Sequence, residues 1–92
     1  MSVKHYKIRV FGLVQGVSFR YYTQRKAEEL GVFGRVKNER DGSVSIEAEG
    51  TAAILDQLVQ WCYQGPPMAE VSRVEKEESE DIQLYSEFQI TY

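Results

Sequence analysis

Between residues 6 and 13 apolar and charged positions alternate, with Tyr6, Ile8 and Val10 on one parity and Lys7 and Arg9 on the other. A two-residue period is that of a strand with one wet face, so a strand is predicted here. Gly12 and Gly16 then bracket a short loop. Beyond it Phe19, Thr23, Ala27 and Leu30 recur at helical spacing, with Ser18 placed to cap the helix start and Gly31 to end it. Residues 32–38 and 43–50 are strand-like again, and Asp41-Gly42 between them offers the positive φ that a tight hairpin turn requires. Thr51 is placed to cap a second helix whose Ile54, Leu55, Leu58, Val59, Trp61 and Cys62 form one broad apolar face, stopped by Gly65-Pro66-Pro67. Residues 69–74 and 84–92 read as two more strands, and the acidic run 75–81 as a solvated strand end and turn.

The order is β-α-β-β-α-β plus a terminal strand. Two βα units joined by a hairpin, each with a right-handed crossover, give an α+β fold: a ferredoxin-like split βαβ sandwich with a mainly antiparallel sheet and both helices on one face. A length of 92 residues and a mass of 10.6 kDa fit one domain, residues 1–92. With 42% hydrophobic and 27% charged residues the chain is globular in composition. No apolar run approaches the roughly 18 residues of a membrane helix, and the start of the chain has no apolar signal core, so the expected setting is cytoplasmic, away from membranes. This layout hosts enzymes, regulators and RNA readers alike, so function must be read from a site.

A single cysteine, Cys62, and a single histidine, His5, exclude an internal disulfide and a four-ligand zinc site. Cys62 closes an apolar stripe and reads as core; His5 reads as a solvated strand residue. Charge is unevenly spread: residues 1–27 hold six basic side chains (Lys4, Lys7, Arg9, Arg20, Arg25, Lys26) and no acid, whereas residues 28–92 hold the other five and all fourteen acids. An anion would meet the N-terminal part, although opposite blocks that neutralise each other fit the count equally well.

The loop from Gly12 to Arg20 leads a strand into a helix, where free N–H groups beside a positive helix end can wrap a tetrahedral anion. Its glycine spacing fits neither a Walker loop nor a dinucleotide fingerprint. Arg20 adds a planar fork matched to two phosphate oxygens. On spacing alone a cradle and a plain turn fit equally. If the first two strands run parallel with the third between them, their carboxyl ends, Leu13 and Asn38, emerge at one sheet edge about 10 Å apart, two strand spacings. Arg20 and Asn38 then reach one small ligand. Taken by itself, Asn38 reads more simply as a cap of the Asp41-Gly42 turn. The last strand should run like the first two and bring the Tyr92 carboxylate to the same edge, within reach of Arg20.

Val14-Gln15 followed by Gly16-Val17-Ser18-Phe19-Arg20, then Gly34-Arg35-Val36-Lys37-Asn38, Asp41-Gly42-Ser43-Val44 and Gly65-Pro66-Pro67, together resemble the acylphosphatase family along nearly the whole chain. The resemblance implies a hydrolase of carboxylic-phosphoric anhydrides that uses no metal or cofactor. It implies that Arg20 binds phosphate and Asn38 positions water. The N–H groups of Gln15, Gly16, Val17, Ser18 and Phe19 complete the expected phosphate site. The expected partners are a small-molecule acyl phosphate and inorganic phosphate, as product and competitive inhibitor, with the chain acting as a monomer. Arg35 departs from the pattern, because the family often has an aromatic there. The chemistry is coherent with the residues: the leaving group is a carboxylate, already a weak base, so no general acid is needed to protonate it.

Two rivals differ in class. RNA-recognition modules share the strand order, but here the third strand would expose Ser43, Ser45, Glu47 and Glu49, and the sequence pI is near 5.1, so no nucleic acid is expected. The other is a non-catalytic accessory domain that keeps the cradle and turns nothing over; a free-standing chain of 92 residues favours the enzyme.

Overall fold

In the structure, a computed structural model that describes residues 2–92, the parity along the first strand becomes two faces. Strand β1 (Lys4–Leu13) turns Tyr6, Ile8 and Val10 into the core, at about 2 kcal/mol for each apolar side chain removed from water. Helix α1 (Phe19–Leu30), strands β2 (Phe33–Asn38) and β3 (Val44–Gly50), helix α2 (Ala52–Gln64), and strands β4 (Glu70–Ser79) and β5 (Phe88–Thr91) follow. β1 pairs antiparallel with β3 and β4, β2 pairs antiparallel with β3 and parallel with β5, and the sheet order is β4-β1-β3-β2-β5. Val36, Ile46 and Ala48 join the first-strand residues in one core with Phe19 and Ala27 of α1 and Leu55 and Leu58 of α2. Phe19 meets Trp61 at 5.5 Å between ring centres, which closes the two helices over the sheet. This is the ferredoxin-like sandwich that the element order predicts.

The last third of the chain departs from the sequence reading. β4 continues through the acidic residues to Ser79, because each faces a cation across β1: Arg9 opposes Glu75, Lys7 opposes Glu77, and Lys4 Nζ lies 3.4 Å from Glu78. Cross-strand charge complementarity sustains a strand that apolar alternation does not reveal. β5 is shorter than expected, with Leu84 exposed at φ 57° outside it. Because β4 and β5 occupy opposite edges, residues 80–87 must cross the sheet, and they do so on the face away from the helices.

That crossing overturns the reading of His5 and Glu49 as solvated. Both are buried, at 1% and 4% exposure. The N–H groups of Gln83 and Tyr85 donate to the Glu49 carboxylate at 2.5 and 3.1 Å, and the Tyr85 ring stacks on His5 at 6.1 Å. His5 Nδ1 lies 2.7 Å from Glu49 Oε2, and Nε2 lies 3.4 Å from Glu47 Oε1. Ser43, on the same face, is also buried, under the Arg9 guanidinium whose Nε donates to its hydroxyl at 2.6 Å.

Candidate active site

β1 delivers the chain into a loop pinned at both ends by buried apolar side chains, Val14 and Phe19. Between them Gly16 (φ 76°) and Ser18 (φ 64°) are left-handed while Val17 is not. Alternation of this kind turns successive N–H groups toward one concavity, a backbone nest for anions. Ser18 occupies the cap position of α1, but its hydroxyl makes no capping bond, contrary to the sequence reading. An effective cap is extended, as Thr51 is at the start of α2 (φ −71°, ψ 154°), where Oγ1 accepts from Ile54 N at 3.4 Å. The left-handed Ser18 instead leaves the first turn of α1 open at its positive end. Among the described residues the backbone N–H groups from Gln15 to Arg20 find no protein acceptor.

Arg20, in that first turn, is half-buried. Its Nη1 donates to the Thr91 carbonyl at 3.2 Å, and its guanidinium carbon lies 4.7 Å from the centre of the Tyr92 ring. The expected ion pair with the Tyr92 carboxylate is absent among the described residues: β5 does run parallel to β2 toward this edge, but it presents a carbonyl and a ring to Arg20. Among the described residues no carboxylate pairs with Arg20, whereas Arg9 meets Asp41 at 3.2 Å and Arg35 meets Glu47 at 2.5 Å.

Asn38 ends β2 with a half-buried side chain that makes no hydrogen bond among the described residues. The turn after it is secured without it. Glu39 N donates to Ser43 O at 2.9 Å, and Asp41 Oδ1 accepts from Ser43 N at 2.9 Å and Ser43 Oγ at 2.5 Å. Those two bonds, ahead of the nearby Arg9, hold the Asp41 carboxyl below its ordinary value. Asp41, not Asn38, is the turn cap, and the hairpin carries a five-residue loop where the sequence suggested a tight turn; Gly42 (φ 93°) supplies the expected positive angle.

A cavity of about 380 Å³ lies where these elements meet. Gly16, Ser18, Phe19, Arg20 and Asn38 line it, together with Val14, Tyr21, Ile90 and Tyr92. The structure therefore brings together five of the seven predicted site residues. The other two lie outside the lining: Val17 packs against the core, and the Gln15 side chain reaches to the hairpin, where Nε2 donates to Glu39 O at 2.7 Å and Ser43 O at 2.9 Å. That bridge was missed in the sequence, whose one hint is a long amide side chain in a loop predicted to end beside a hairpin. A larger hollow of about 820 Å³ on the open sheet face is lined by the Arg9–Asp41 and Arg35–Glu47 pairs, which neutralise each other, and Arg35 faces that hollow. Cys62 is buried with its thiol pushed up to about 12 by burial, so it is core, as its place in the apolar stripe predicted. Among the described residues no three His, Cys, Asp or Glu side chains gather into a metal site.

A loop with unsatisfied backbone donors, an arginine without a carboxylate and an amide without a hydrogen bond among the described residues thus meet at one edge of an α+β sandwich. The acylphosphatase family model matches residues 6–90. An acylphosphatase of Shewanella amazonensis is 49% identical over 84 residues, covering 91% of this chain and 92% of that protein. The crystal structure of acylphosphatase from Bacillus subtilis matches with a TM-score of 0.93 at 37% identity, covering 99% of this chain and 100% of that one. Full-length HypF, solved in a phosphate- and nucleotide-bound form, matches with a TM-score of 0.91 at 25% identity, over 99% of this chain and 12% of its own. The chain belongs to the acylphosphatase family, and its activity is the hydrolysis of acyl phosphates.

Proposed function

We propose that the anhydride of a small acyl phosphate is cleaved in the 380 Å³ cavity, with the loop N–H groups of residues 15–19 and Arg20 holding the phosphate and Asn38 holding the attacking water. The reaction expels a carboxylate that needs no proton, so the protein has only to fix a dianionic phosphoryl group and aim one water at it. Phosphoryl transfer is mostly positioning and charge stabilisation, and both can be supplied by an arginine that holds no acidic partner, an amide with no hydrogen bond and loop N–H groups with no acceptor among the described residues. The water's proton passes to a phosphate oxygen of the substrate. The observation that carries this reading is the convergence on one cavity of an arginine without a carboxylate and an asparagine without a hydrogen bond, beside unsatisfied backbone donors. The chain acts as a monomer in the cytoplasm, uses no metal and binds no nucleic acid.

The test is to follow the loss of anhydride absorbance from an aromatic acyl phosphate, with a phosphate monoester as control. Turnover of the first and not the second is expected. Equal turnover of both would remove the assigned class, and no turnover of either would leave a phosphate-binding accessory domain.

A further inference from the structure

The phosphate loop and the hairpin that begins at Asn38 come from separate stretches of chain, and the sheet does not join them at the site. The last pair of the β1–β3 ladder toward the site is Val10 with Val44, and the last pair of β2 with β3 is Asn38 with Val44. Beyond these rungs residues 39–43 project past the ladder, beside residues 14–18. One side chain crosses between them. Gln15 Nε2 donates to both carbonyls at the neck of the hairpin, Glu39 O at 2.7 Å and Ser43 O at 2.9 Å. An amide nitrogen has two hydrogens, so both donors are spent on this contact.

We infer that Gln15 is a positioning residue, whose side chain sets the separation between the phosphate cradle and Asn38. Its main chain belongs to the cradle and its side chain grips the carbonyl of Glu39, the residue after Asn38, so one residue fixes the phosphate against the water. The inference rests on the assignment of the water to Asn38. Hairpin integrity alone does not require it, because Asp41 closes the turn from within and Arg9 Nε holds Ser43 Oγ at 2.6 Å. A shift of about 1 Å between reacting groups is enough to cost roughly 10²-fold in rate.

The experiment measures kcat, KM and inhibition by inorganic phosphate for Gln15→Ala, Gln15→Met, Asn38→Ala and the double variant Gln15→Ala/Asn38→Ala. Gln15→Met keeps the length of the side chain and removes both donors, and so serves where the alanine variant fails to fold. The expected result is a kcat lowered roughly 10- to 100-fold in Gln15→Ala and Gln15→Met, phosphate inhibition within about twofold of wild type, and a double variant no slower than Asn38→Ala. A double variant slowed by the product of the two single losses would overturn the inference, because Gln15 would then act independently of Asn38. So would weakened phosphate binding at unchanged kcat, which would place the side chain in the cradle. Wild-type kcat in Gln15→Met beside a slow Asn38→Ala would remove the positioning role alone. Wild-type kcat in Asn38→Ala would remove the assignment of the water and this inference with it.

Discussion

The proposed function has Arg20 and Asn38 meet the same ligand in different ways, and kinetics should separate them. The guanidinium is steadied by the Thr91 carbonyl and the Tyr92 ring, which leaves the rest of its fork for phosphate oxygens. In the proposed site it binds phosphate before and during the reaction, so Arg20→Ala should weaken phosphate inhibition and slow turnover together. Arg20→Lys should rescue little, because an ammonium is a point charge and cannot reproduce a two-pronged contact. The proposal gives Asn38 the water, so Asn38→Ala should lower kcat by roughly 10²-fold with phosphate inhibition near wild type. Steady-state kinetics with phosphate as inhibitor reads both. Intact turnover in Asn38→Ala would assign the water to another group. Strand parity and chain order bring both residues to one edge in the sequence, but they leave a plain turn at Arg20 and a turn cap at Asn38 open, and the site roles come from the family resemblance. The cap assigned to Ser18 was misread and the bridge made by the Gln15 side chain was missed for one reason: the backbone of the loop, not the side-chain type, decides where each side chain goes. A left-handed Ser18 cannot use its hydroxyl as a cap, and Gln15 spends its side chain on a hairpin 24 and 28 residues away.

Among the elements, the first two strands, both helices and the hairpin follow from local signals: period, cap and turn residue. The crossing of residues 80–87 has none, since it is pinned by contacts to Glu49 spanning 34 and 36 residues, and such pairings leave no period in the sequence. This strap has its own pH signature. Burial pushes the Glu49 carboxyl up, but the bonds from Gln83 N–H, His5 and Tyr85 N–H together outweigh it and leave the carboxyl below its ordinary value. A depressed carboxylate contributes stability in full above the unfolded value of about 4.3 and loses it as pH falls through the folded one. Glu49→Gln should therefore cost about 2 kcal/mol at pH 7, and its deficit against wild type should shrink below about pH 4. Denaturant melts at several pH values check this, and a deficit that stayed constant would mean that the carboxylate charge is not what holds the strap. The same strap delivers β5 to the site. Deleting Thr91-Tyr92 removes the carbonyl and ring that steady Arg20 and the Thr91 hydroxyl bond to Val36 O at 2.9 Å. The truncated chain should show a raised KM and a lower melting temperature, and full activity at unchanged stability would argue against the arrangement.

Over the whole molecule the formal charge of −3 conceals where the charges are spent. Of the six cations in residues 1–27, Lys4, Arg9 and Lys26 pair with Glu78, Asp41 and Glu29, while Arg20 has no acidic partner among the described residues. The acids are committed elsewhere: Glu75 and Glu77 line β4 opposite Arg9 and Lys7, Glu47 and Glu49 hold Arg35 and the strap, and Asp56 takes Lys76 and the Tyr6 hydroxyl. None of them lines the 380 Å³ cavity. A hydrolase that activates phosphate through Mg²⁺ or Mn²⁺ needs carboxylate oxygens beside the phosphate to hold the ion, and this charge distribution puts an arginine there in place of carboxylates. Two outcomes follow for the purified chain. A strong chelator should leave kcat/KM within about twofold, because in the proposed site one cation contact and several amide donors meet the phosphate charge. Inorganic phosphate should raise the apparent KM without changing kcat, because the cradle recognises the group that substrate and product share. Loss of activity on chelation, restored by one divalent ion, would show that the charge on the phosphate is met by a metal rather than by Arg20. Non-competitive inhibition by phosphate would place the product site away from the loop.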